Sequence, residues 1–278
     1  MVSRRAVLGG AGVAVLGAGL TAVEVGWYGK ALHAVGLRRS PDHHAPPSGV
    51  SVKSDSFVST HMDADRIGWS IAIPTRSPAA VVVCLHGAFE DHRFAFADIH
   101  MQDVVAEAKA PLVVASVDGG SRSYWHQRTS GVDPQAMLLE EFLPLVDQEV
   151  GHRLPKVLLG WSMGGYGAVL IAEDHPSDFV GFCATSPGLW ATYAEAKPAA
   201  FDGRADYDRN NVFSHLDRVT RLKARVDCGI WDPFADQARR LAAALDHPEG
   251  GFGPGYHDNA YWRSVAPAQI HSIANWLT

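Results

Sequence analysis

Cysteine is scarce in this sequence, with three in 278 residues. An odd, small set excludes a fully paired disulfide framework. Charge of either sign is also thin. Lys+Arg 24 against Asp+Glu 30 leaves −6, so the basic face that a nucleic-acid partner demands is missing. The 27 glycines and 16 prolines follow no collagen-like period, and no internal repeat is visible. No H-x-H-x-D or comparable ligand set occurs, which argues against a metal-dependent hydrolase. What is present is ordinary globular material. Hydrophobic residues at 47% and charged residues at 19% exclude wholesale disorder, and the length is ample to bury a core.

Long apolar runs are missing except at the start. Residues 6–23 carry no charge, and eighteen residues at about 1.5 Å each come close to a bilayer core. Arg4-Arg5 stands immediately before this run. The pattern S-R-R-x-V-L ahead of a weakly hydrophobic, Gly-rich stretch resembles a twin-arginine export signal, although the usual Phe and Lys are absent. A plain membrane anchor is the rival reading. Both keep the arginines cytoplasmic, bring the N-terminal segment into contact with the membrane and export the rest of the chain. Residues 36–49, with Pro41, Pro46 and Pro47, read as a polar linker. His43 and His44 have no Cys or carboxylate cluster beside them and read as solvated loop. The expected organisation is a signal or anchor over 1–30, a linker over 31–49 and a catalytic domain over 50–278.

Within that domain, 50–60 and 66–74 alternate as two antiparallel strands do. Short continuous apolar runs come next at 79–85, 111–117, 156–159, 179–184 and 224–230, the pattern of strands buried on both faces of a parallel sheet. Helical segments lie between them at 96–109, 134–150, 164–175, 234–246 and 259–277, with Asp133 as N-cap and Pro134 in the first turn of the second. Strands alternating with helices predict an α/β fold with a mostly parallel central sheet and helices on both faces. The stretch 189–222 breaks the rhythm and is expected to lie over the site as a lid-like insertion. Cys84, Cys183 and Cys228 fall in strands and read as small buried hydrophobes.

Gly160-Trp161-Ser162-Met163-Gly164 fits G-x-S-x-G. It comes after the apolar run at 157–159 and opens a helix, the strand–turn–helix setting of a nucleophile elbow. A serine hydroxyl is a weak nucleophile and needs a base, and the base needs an orienter. Asp232, where a strand ends and a helix begins, is the candidate acid; Asp227 and Asp236 are weaker ones. His257, after a glycine-rich stretch and before the last helix, is the candidate base, ahead of His247 and His271. The oxyanion requires two N–H donors. Met163 supplies one, and Ala88, in the loop His86-Gly87-Ala88-Phe89 at the end of the first parallel strand, supplies the other. His86 is explained by that loop without a metal. Phe89, Tyr124, Trp125, Trp161 and Trp190 are candidates to line a pocket, though core packing serves most of them equally well.

L-H-G at 85–87, G-W-S-M-G-G-Y-G-A at 160–168, H-P-S-D-F at 175–179, S-P-G-L-W at 186–190, D-C-G-I-W-D-P-F at 227–234 and G-Y-H-D-N-A-Y-W at 255–262 resemble the α/β-hydrolase esterases. That family includes S-formylglutathione hydrolases, feruloyl esterases and mycobacterial mycolyltransferases. The resemblance spans about residues 50–278. It implies the α/β-hydrolase fold, no cofactor, and a small-molecule or lipid-like acyl ester as substrate. By position it implies Ser162 as nucleophile, Asp232 as acid, His257 as base, and Ala88 and Met163 as oxyanion donors. The expected activity is ester hydrolysis through an acyl-enzyme. Acyl transfer with the same triad and a non-catalytic envelope protein are the alternatives. Two departures stand out. His86 occupies a position that is usually acidic in mycolyltransferases, and no convincing strand precedes His257 within 241–255, so the sheet is expected to be short at that edge.

The paired arginines yield a direct test. Replacing Arg4 and Arg5 together by Lys keeps the charge. A route that reads only charge and hydrophobicity tolerates the swap, whereas a twin-arginine route does not. Fractionation into cytoplasm, membrane and exterior is expected to show the double-Lys chain retained inside; normal export would leave an ordinary signal anchor.

Overall fold

The computed structural model describes residues 47–278 except 65, 197 and 198. The expected export signal, most of the linker, and His43 and His44 lie outside the described residues. Among the described residues eight strands form one sheet: β1 (Val50–Phe57), β2 (Ile67–Pro74), β3 (Ala80–Leu85), β4 (Leu112–Val117), β5 (Lys156–Trp161), β6 (Gly181–Thr185), β7 (Lys223–Gly229) and β8 (Glu249–Gly253). Their spatial order is β1-β2-β4-β3-β5-β6-β7-β8. β2 runs antiparallel to β1 and to β4, and every pairing from β4 to β8 is parallel. Among the described residues no helix is long and apolar enough to cross a membrane.

The apolar runs build this sheet because each strand feeds two cores. Side chains alternate across a strand. In β3, Val81, Val83 and Leu85 point into one cluster, and Ala80, Val82 and Cys84 into the other. The first core holds the helix Met163–Asp174, the helical stretch 134–150 and the helix Ala235–Ala244; the second holds Met101–Glu107 and Asn259–Trp276. That is a doubly covered α/β layer structure, the α/β-hydrolase architecture. All three cysteines are free and buried, and burial raises each thiol pKa, which keeps them inert.

Two expectations are corrected. The helix expected over 96–109 is broken. A π-helical turn, Phe94–Asp98, gives way at His100, whose φ is 61°, before Met101–Glu107 begins. The break lets Asp98 receive Asn259 Nδ2 at 2.9 Å and Arg263 at its carbonyl, which ties this face to the last helix. The second correction is β8. The sheet is not short at that edge, because Glu249–Gly253 pairs in parallel with β7 from Arg225↔Glu249 to Gly229↔Gly253. Apolar patterning could not reveal it. An edge strand is held by main-chain hydrogen bonds, and E-G-G-F-G contains one apolar side chain. Glycine is required at 250, where φ is 104° and a Cβ would stand 2.2 Å from the Val226 carbonyl oxygen.

Among its described residues, the stretch 189–222 contains one short helix, Arg204–Arg209, and two 3-10 turns. It is stapled to the body. Trp190, Phe201, Tyr207, Val212 and Val219 enter the first core. Arg128 pairs with Asp202 at 2.5 Å and reaches the carbonyls of Ala199 and Ala200.

Under this segment lies an unusual carboxyl group. Glu173, near the end of the helix Met163–Asp174, is 1% exposed and neither of its oxygens has a hydrogen-bond partner. Burial, reinforced by Asp174 and Asp217 against the opposing Arg218, pushes its pKa up to about 9. The protonated form is therefore the folded one. Since the folded pKa lies above the unfolded value, its contribution is intact below about pH 4.3. It is lost progressively as pH rises towards about 9. Glu173→Gln is expected to melt several degrees above the parent at pH 8 and to converge with it near pH 4. Thermal melts across that range check this, and equal midpoints at pH 8 would refute it.

Candidate active site

Ser162 sits between β5 and the helix Met163–Asp174 with φ 55° and ψ −115°. A non-glycine residue there is strained and is held only by its surroundings. Those surroundings are glycines in close contact. A Cβ on Gly160 would lie 2.0 Å from the Gly164 carbonyl oxygen, and one on Gly164 would lie 1.9 Å from that of Leu85. The strand, the helix and the end of β3 therefore meet only because side chains are missing. Ser162 N–H donates to the Thr185 carbonyl at 3.0 Å, and its own carbonyl accepts from Tyr166 and Gly188 at 3.1 and 2.9 Å. The turn is locked, and the hydroxyl stands partly exposed.

Its partner arrives from the other end of the domain. Ser162 Oγ lies 2.9 Å from His257 Nε2, and His257 Nδ1 lies 2.8 Å from Asp232 Oδ2. With the carboxylate accepting at Nδ1, the imidazole carries its proton there and presents Nε2 as acceptor to the serine. Asp232 Oδ1 accepts from Phe234 N–H at 2.8 Å, so this carboxylate also caps the turn into Ala235–Ala244. The other acid candidates are engaged elsewhere. Asp227 is gripped by Arg225 at 2.8 and 2.9 Å and by Gln269. Asp236 faces solvent and pairs with Arg239. His247 lies in an exposed turn beside Asp246, and His271 is exposed on the last helix.

The loop 86–89 passes directly beside the serine, since a Cβ on Gly87 would lie 3.5 Å from Ser162 Cβ. His86 fastens this loop. It is buried, its Nδ1 donates to the Gly87 carbonyl at 2.8 Å, and its Nε2 accepts from Gly119 N–H at 2.9 Å. Those partners occupy both ring nitrogens, and Asp118 Oδ1 lies 3.5 Å from Nε2. No group of His, Cys, Asp and Glu fit to hold a metal occurs among the described residues. Ala88 comes next on the same loop. Met163, fully buried, opens the helix, where an N–H has no intrahelical acceptor. Of the candidate pocket aromatics, Trp125 and Trp161 belong wholly to the core and Trp190 nearly so, whereas Phe89 is about half exposed.

Two contributors lie in the family-like segments 186–190 and 255–262 without any catalytic signal of their own. Ser186, just after β6, has φ 46° and is fully buried. Its hydroxyl accepts from Trp262 Nε1 at 2.9 Å and helps to lower the pKa of Asp232. Trp262 also sets its ring edge-on to His257, at 5.1 Å and 84°. Burial alone would raise the Asp232 pKa. The hydrogen bond and charge of His257, the Phe234 N–H and the Ser186 hydroxyl outweigh that and hold it below the ordinary carboxylate value. The site is therefore built to keep Asp232 ionised.

The Esterase family matches residues 65–270. No protein of curated function matches the chain. Solved structures do. A ferulic acid esterase aligns with a TM-score of 0.70 at 20% identity, over 82% of this chain and 99% of its own. The fluorophosphonate-binding serine hydrolase FphF of Staphylococcus aureus aligns with a TM-score of 0.70 at 19% identity, over 82% and 100%. An S-formylglutathione hydrolase from Agrobacterium tumefaciens aligns with a TM-score of 0.71 at 18% identity, over 86% and 100%. The structural likenesses carry the fold and the family match carries the reaction class: the chain belongs to the Esterase family and is a carboxylic ester hydrolase.

Proposed function

We propose that this chain is a serine esterase that cleaves its substrate through an acyl-enzyme on Ser162, with His257 as base and Asp232 as orienter. One observation carries the reading: the continuous hydrogen-bonded chain from Ser162 Oγ through His257 to Asp232, at 2.9 and 2.8 Å. In acylation, Ser162 Oγ bonds to the ester carbonyl carbon and its proton passes to His257 Nε2. The tetrahedral oxyanion is met by the N–H groups of Ala88 and Met163, and the second also gains from the helix N-terminus. Collapse breaks the carbon–oxygen bond to the alcohol, and the imidazolium returns the proton to the departing oxygen. Water then repeats the sequence in reverse and frees the acid. Asp232 keeps the imidazole in the tautomer that accepts at Nε2 and stabilises its charge. The export reading of Arg4-Arg5 belongs to the same proposal and places this esterase beyond the cytoplasmic membrane.

Ser162→Ala is expected to lose covalent labelling by a fluorophosphonate probe and about three to six orders of magnitude in turnover, since triad members act as a unit. Its melting temperature is expected to stay close to the parent's. Retained hydrolysis of a nitrophenyl ester by this variant would overturn the mechanism.

Ser186 is expected to act through Asp232. Ser186→Ala removes a hydroxyl that lowers the Asp232 pKa, so the carboxylate becomes more basic and holds the imidazolium more tightly. The expected result is a roughly tenfold lower kcat, an unchanged KM, and an acid limb of the kcat/KM profile displaced to higher pH. A variant with a lower melting temperature and an unmoved pH profile would reduce Ser186 to a packing residue.

A further inference from the structure

Large apolar side chains left in water concentrate around the triad. Among the described residues the exposed ones include Ile230 and Trp231, immediately before Asp232, and Tyr256, immediately before His257. Trp231 is 53% exposed and Tyr256 51%, and their rings lie 5.1 Å apart with planes tilted by 33°. The backbone beneath them is fixed. Ile230 N–H donates to the Gly253 carbonyl at 2.9 Å, and Trp231 N–H donates to that of Gly255 at 3.1 Å. The acid loop and the base loop thus form one unit that holds the two rings side by side without help from the side chains. Together with Pro254, Gly255, Asp258 and Tyr261, the rings line an open groove of about 270 Å³.

The direction of the chemistry says which half of the substrate meets this groove. His257 Nε2 must hand its proton to the departing alcohol oxygen, so that oxygen lies within hydrogen-bond reach of the imidazole. The groove begins one residue from the acid and the base, since Trp231 directly precedes Asp232 and Tyr256 directly precedes His257, while the triad side chains lie outside its lining. The groove lining includes one carboxylate, Asp258, and no Lys, Arg or His. An anionic alcohol is disfavoured there, whereas a neutral ring has two aromatic faces to stack on.

We propose that Trp231 and Tyr256 form a stacking subsite for the alcohol half of the ester, selecting neutral alcohols that carry an aromatic or sugar ring. The proposal rests on the serine-esterase reading above and adds the substrate class. No bond forms or breaks at the subsite; it holds the leaving group while Ser162 and His257 carry out the exchange.

The test uses the full chain and three acetates whose alcohols are of similar acidity: ethyl acetate, benzyl acetate and a methyl glucoside acetylated at its primary hydroxyl. The parent is expected to favour one or both ring esters over ethyl acetate in kcat/KM. Trp231→Ala and Tyr256→Ala are each expected to reduce that preference by about five- to tenfold, chiefly through KM. Trp231→Phe, which keeps a ring, is expected to retain most of it. A loss confined to the benzyl ester identifies an aromatic alcohol as the occupant, and one confined to the glucoside identifies a sugar. An unchanged preference in both alanine variants, or no ring preference in the parent, overturns the subsite. Fluorophosphonate labelling of Ser162 is run on every variant. Labelling with an unchanged preference rejects the subsite alone, whereas a parent that is active but unlabelled rejects the serine mechanism itself.

Discussion

Ser162 is held at a backbone conformation that it would not adopt alone, φ 55° and ψ −115°. Everything functional in the structure depends on that turn. It exists because Gly160 and Gly164 let β5, the helix after it and the end of β3 approach within distances that a single methyl would block. Packing of this kind is all or nothing, since protein interiors have no slack to absorb an added carbon. The strain is balanced by main-chain bonds to Thr185, Tyr166 and Gly188 and by a sheet buried on both faces. The proposed nucleophile is thus held rigid by the fold itself.

Rigidity extends to the partners. Asp232 is fixed by the Phe234 N–H and by His257 Nδ1, and His257 is flanked by Phe234 at 5.3 Å and Trp262 at 5.1 Å. Trp262 links the two by also binding Ser186. The loop 86–89 is held by a buried histidine used at both nitrogens. Each group that handles charge is therefore oriented by a second group that does not react, which is how electrostatic stabilisation avoids reorganisation at the moment of reaction. The exposed rings of Trp231 and Tyr256 sit on the same two loops as Asp232 and His257.

Burial elsewhere is less economical. Glu173 lies unpaired beneath the 189–222 segment, its carboxyl group raised to about 9. The segment itself is fastened by Arg128 and Asp202 and by aromatic packing, so it forms a fitted wall of the domain.

The sequence by itself determined the layer architecture, the elbow and the identity of the candidate triad. Those features are encoded locally: continuous apolar runs for strands buried on both faces, glycine where a Cβ cannot fit, and chemistry-bearing side chains at strand ends. Only the tertiary structure decided what depends on distant backbone. β8 has almost no apolar side chains and exists through hydrogen bonds to β7. The helix break at His100 answers to Asn259 and Arg263 on the last helix. That Asp227, the weaker acid candidate, is engaged by Arg225 and Gln269 shows only in the fold. Ser186 and Trp262, 76 residues apart, meet only in the fold. No local pattern marks such contacts, because a hydroxyl or an indole N–H becomes functional through the group it faces, and that group is supplied by another part of the chain.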